Sequence, residues 1–165
     1  MAGILDRDHS RSRARLRRRS AGVLLIPIVM AACGEAPERG PDLVIREARV
    51  RPVAVPEEGG AEVHSAAYLT IRNRGGVDDR LLGAGFSGAR RVEIHETRVS
   101  AEGLATMRPV ESITIPAGAE IRLEPGGLHV MLMGLESSLV SGDTVRLSLE
   151  FDKSGTRTVP AEVGE

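Results

Sequence analysis

Aromatic residues are almost missing from this chain: one Tyr, two Phe and no Trp, 2% of 165 residues. Tyr68, Phe86 and Phe151 are too few to offer successive stacking platforms, which excludes that way of binding nucleic acid. The core must instead be built from Val, Leu, Ile and Ala. Cysteine is scarcer still, with Cys33 alone. A single thiol forms no internal disulfide and no thiolate cluster around a metal. No uncharged run reaches the roughly 20 residues that a helix needs to span a bilayer. Hydrophobic residues at 41% and charged residues at 27% make an ordinary soluble-domain balance. The length fits one domain. The 19 Gly and 9 Pro suit many turns between short elements.

The net charge of -1 conceals an asymmetry. Residues 1–20 hold seven Arg and two Asp, a net +5, so residues 33–165 carry -6. Between them, 21–32 is an uncharged run of twelve containing Pro27. A basic head, a short apolar run and Met30-Ala31-Ala32 before Cys33 read as a lipoprotein-type signal over 1–32. Cys33 is then the lipidated residue, and the domain is expected to be extracytoplasmic and membrane-anchored. Residues 33–41, polar and interrupted by Pro37 and Pro41, read as a tether. The folded domain is expected over 42–161.

From residue 42 the pattern alternates and is cut by Gly and Pro. Strands are expected at 43–50, 66–73, 79–83, 92–97, 112–115, 120–123, 129–133, 144–151 and 156–160. Asp152-Lys153-Ser154-Gly155 is expected to form a hairpin turn, and 136–140 one short helical turn. The sum is an all-β antiparallel sandwich with Greek-key connections. Gly83-Ala84-Gly85-Phe86-Ser87-Gly88 is a formal G-x-G-x-x-G. It binds phosphate only where a helix opens from it. The residues that follow alternate like a strand, so it reads as a turn.

Methionine and histidine are distributed unevenly. Beyond Met1 and Met30, every Met lies at 107, 131 or 133, in the same stretch as His95 and His129. In a strand, His129, Met131 and Met133 share one face. A hairpin at 100–103 would set His95 nearly opposite Met107. Two imidazoles and two thioethers then converge. Thioethers are soft ligands that select Cu(I), and imidazole adds a stronger donor that tolerates Cu(II). Taken singly, each Met also reads as core filler and each His as a solvated side chain.

His95, Met107, His129 and Met131 are separated by eleven, twenty-one and one residues. That H-x11-M-x21-H-x-M pattern resembles the PCuAC-type periplasmic copper chaperones. Ala66-Ala67-Tyr68-Leu69-Thr70-Ile71-Arg72-Asn73, Ile115-Pro116-Ala117-Gly118 and Pro125-Gly126-Gly127-Leu128-His129 are similar to the same family. The resemblance runs over about 43–160. It implies a cupredoxin-like sandwich that binds one Cu(I) through those four side chains. It further implies delivery to an acceptor such as a cytochrome c oxidase subunit, and a monomer attached to the membrane by its lipid anchor. Some relatives carry Met directly after the first His, where this chain has Glu96, and some carry a Met/His-rich tail that 159–165 lacks.

The competing expectation is a metal-free interaction lipoprotein on the same scaffold. An enzyme is not expected. A hydrolase needs a nucleophile beside a base, and His64 and Ser65, adjacent in sequence, point to opposite faces of a strand. His64 is assigned to a loop edge without a role.

Overall fold

The structure is a computed structural model that describes residues 40–57 and 61–165. The signal segment, Cys33 and most of the tether lie outside the described residues. Ten strands are present: β1 Leu43–Val50, β2 His64–Asn73, β3 Asp79–Gly85, β4 Ala89–Val99 and β5 Ala105–Pro109, then β6 Ile113–Ile115, β7 Glu120–Leu123, β8 Leu128–Leu135, β9 Thr144–Phe151 and β10 Gly155–Val163. Hydrogen bonding orders them β5-β4-β8-β2-β1-β10-β9-β3-β6, with β7 pairing β2. All pairings are antiparallel except β1 with β10. β8 returns from far along the chain to pair both β2 and β4, a long return of the Greek-key type.

β2 is the hub. Its first half pairs β8, its second half pairs β7, and its other edge carries β1. Residues 65–71 are all buried, which is why this strand reads as a nearly unbroken apolar run rather than as an alternation. The order folds over on itself around one core. Ala67, Leu69, Ile94, Val130 and Leu132 from one layer meet Leu81, Leu147, Leu149 and Phe151 from the other. Each Val, Leu, Ile or Phe among them contributes about 1.5–3 kcal/mol by leaving water. Because Val130 and Leu132 face this core, His129, Met131 and Met133 are turned to the opposite face of the same strand.

Buried polar groups fix the far end. Asp79 is 1% exposed and accepts from the amides of Arg80, Lys153 and Ser154. It thereby holds the β9–β10 turn against β3. Burial alone would raise its carboxyl pKa, but the hydrogen bonds it accepts outweigh that and lower it.

The expected turn at 152–155 is present, with Phe151 paired to Gly155. The glycine-rich 83–88 segment leads from β3 into β4, with no helix to receive a phosphate. Two local expectations are corrected. Residues 136–140 form bends, not a helical turn, because Leu139 pairs with Val53 through two backbone hydrogen bonds. The second expected strand begins at residue 64 rather than 66, so His64, at the edge of the preceding loop, is the first residue of β2 and pairs with Met133.

Candidate metal site

Three adjacent strands build the site. In the β4–β8 ladder His95 lies directly opposite His129, and Glu93 opposite Met131. Their rings stand 5.9 Å apart, tilted by 60°. Both are sheltered, with His129 5% exposed and the His95 side chain 15%. Met107 projects from β5, the edge strand, and is 63% exposed.

Met107 pairs with Thr97, and His95 with Pro109. Met107 therefore stands two residues from the position directly opposite His95. The turn is longer than expected, closing through Ser100 N–H to Leu104 O at 2.9 Å, with Gly103 at φ +81°. A two-residue shift preserves the face, since side chains alternate with period two. Thr97, His95 and Met107 thus still lie on one side, with Met107 diagonal to His95.

The hydrogen bonds decide which nitrogens are available. His129 Nδ1–H donates to the Gly127 carbonyl at 3.1 Å, so in the neutral ring Nε2 keeps its lone pair. The same carbonyl accepts from Thr97 N–H at 3.0 Å, which ties the Pro125-Gly126-Gly127 turn to β4. His95 Nε2–H donates to Glu93 Oε2 at 2.8 Å, leaving Nδ1 free. That bond is the main reason the Glu93 carboxyl pKa lies below its usual value. Partial burial works against the shift, and Arg91 at 3.3 Å adds to it.

A cavity of about 280 Å³ has Met107, His129, Met131, Thr97, Tyr68 and His64 in its wall. His95 is not in that wall, although its ring lies 5.9 Å from that of His129. A larger cavity of about 450 Å³ beside Gly134 has neither thioether nor imidazole in its wall. Among the described residues no three His, Cys, Asp or Glu side chains gather to hold a metal. A metal at the smaller cavity must therefore draw on sulfur, which favours a soft ion over zinc, magnesium or calcium.

Three groups at the site lie outside the set that the sequence pointed to. Glu93 and the Gly127 carbonyl orient the two rings. His64 was passed over although it continues the period-two series through Ala66 and Tyr68, the signal that could have found it.

Residues 43–163 match the family model of the LpqE-like lipoproteins. A protein of Leifsonia xyli subsp. xyli (strain CTCB07), named as lipoprotein Lxx21020, is 37% identical over 100 residues. That match spans 60% of this chain and 60% of its relative. Among solved structures, the Cu(I) form of DR1885 from Deinococcus radiodurans aligns at a TM-score of 0.53 and 31% identity. It covers 81% of this chain and 82% of that one. The copper-bound PCuAC domain from PmoF2 aligns at 0.57 and 24% identity, over 76% and 96%. The fold is the cupredoxin-like β fold of the PCuAC domains.

Proposed function

This chain belongs to the LpqE-like lipoprotein family, and on that footing we propose that it is an extracytoplasmic Cu(I) carrier. His95, Met107, His129 and Met131 are the proposed ligands. The observation that carries the reading is the opposition of His95 and His129, each with one nitrogen unengaged, on the sheet face that also bears both thioethers. The likeness to Cu(I)-DR1885 at 31% identity supports the same ion.

Copper is the cargo rather than a resident catalyst. A set of neutral thioethers and imidazoles holds Cu(I) without thiolates, so it persists where thiols oxidise. Met107, exposed on the edge strand, is the ligand an incoming acceptor meets first. The acceptor is an extracytoplasmic copper protein, with a cytochrome c oxidase subunit as the specific proposal. Cys33 provides the lipid anchor, and the carrier acts as a monomer without enzymatic turnover.

The test is anaerobic Cu(I) titration of purified protein against a chromophoric chelator, with copper K-edge absorption on the loaded form. One tight equivalent with both sulfur and nitrogen scatterers, lost in His129→Ala and Met131→Ala, is the expected result. Absence of any copper binding overturns the reading and leaves the metal-free interaction scaffold.

A further inference from the structure

His64 stands on the same sheet face as the proposed ligands, yet nothing in the carrier reading uses it. In the β2–β8 ladder it pairs with Met133, while Ala66 pairs with Met131. His64 is thus the diagonal neighbour of Met131, on the side away from His129. Diagonal neighbours across a ladder lie about 7–8 Å apart, within reach of long side chains. His64 and Met131 are both in the wall of the 280 Å³ cavity. The Nδ1 atom of His64 is buried with no hydrogen-bond partner. A buried ring nitrogen is ordinarily paired, so an unpaired one on a residue whose cavity wall also holds Met107, Met131 and His129 calls for a ligand.

Two neighbours shape what that ligand site is. Met133, directly across from His64, has its sulfur engaged by Arg91 Nη2 at 3.3 Å, so the available thioether is Met131. Opposite Met131 on β2 stands Ala66, the smallest side chain that could stand there short of glycine, which leaves the flexible thioether room to swing either way.

We propose that His64 and Met131 form a second Cu(I) position in this cavity, so that the ion moves along β8 between two footholds that share one sulfur. This rests on the carrier reading. The move is a ligand exchange: the Met131 sulfur stays on the ion, the His95 and His129 nitrogens and the Met107 sulfur leave, and the His64 nitrogen arrives, leaving a two-coordinate Cu(I). No electron is transferred and copper remains Cu(I). With two donors against four, this position is the weaker of the two.

The test uses purified protein with ¹⁵N-labelled histidine, titrated anaerobically with Cu(I) supplied as its acetonitrile complex. The first equivalent is expected to shift the His129 ring nitrogens, and a second, at least tenfold weaker because the Met131 sulfur must then bridge both ions, to shift those of His64. His64→Gln, which retains side-chain bulk, is expected to keep the first equivalent and lose the second. A second equivalent that persists unchanged in His64→Gln overturns the proposal. So does a His64 ring that stays silent in the wild type through both equivalents. If the first equivalent binds and only the second fails, the carrier reading stands and this inference alone falls. If neither binds, both fall.

Discussion

His95 and His129 face each other across the β4–β8 ladder, 5.9 Å between ring centroids, and each donates one N–H to a fixed protein acceptor. The carboxylate of Glu93 and the carbonyl of Gly127 therefore choose the tautomers before any metal arrives. Preset imidazoles lose little freedom on binding, which suits a site that must both take up and release its ion.

Because protons and copper compete for the same imidazole nitrogens, Cu(I) affinity is expected to fall below about pH 6. Chelator competition from pH 5 to 8 measures this. A flat profile counts against histidine ligation.

Glu93→Gln keeps the side-chain length but replaces the charged acceptor of His95 Nε2–H. Cu(I) affinity is expected to drop by about tenfold, within the range typical of partners that orient metal-bound histidines. The hydrogen bond from His95 keeps Glu93 ionised to a lower pH than a free glutamate. The difference between Glu93→Gln and wild type should then be constant from pH 6 to 8, as paired titrations would show. A difference that vanishes within that range would remove Glu93 from this role.

Met107 is 63% exposed on an edge strand and packs little. Met107→Leu is expected to change unfolding stability by less than about 0.5 kcal/mol while weakening Cu(I) binding by about tenfold or more. Denaturant melts and copper titration of the same preparation separate the two effects. Equal copper affinity would show that the thioether is no ligand.

Leu132 lies between Met131 and Met133 in sequence but faces the core, fully buried. Leu132→Ala is expected to cost about 2–5 kcal/mol of stability. The copper stoichiometry of the folded fraction should stay at the wild-type value. Urea unfolding followed by circular dichroism gives the first quantity, and titration well below the midpoint gives the second.

Asp79 has its pKa lowered in the folded state. Its contribution is therefore fully present above the unfolded carboxylate range and lost as pH falls through the folded value. Asp79→Asn places an amide donor where amide N–H groups already point, at a cost of about 2 kcal/mol near neutral pH. As pH falls through that lowered folded-state value, below the usual carboxylate range, the two proteins should converge, because the wild-type carboxyl is then protonated too. A gap between the two stability curves that persists unchanged into acid would show that the charge is not what holds the β9–β10 turn.

The alternation of apolar and polar residues in 92–97, and the short run 129–133 after Pro125-Gly126-Gly127, were enough to assign strands and to put His129 and Met131 on one face. Both follow from the two-residue repeat of a strand, which is local. The spacing of His95, Met107, His129 and Met131 likewise stood in the chain itself and led to the family that residues 43–163 match. Only the tertiary structure set Met107 beside Thr97, brought His64 onto β8 and gave each imidazole its hydrogen-bond partner. Register between strands far apart in the chain is fixed by how Val130, Leu132 and Ala67 pack against the opposite layer. That packing lies on the face away from the site, so no pattern among the site residues could have revealed it.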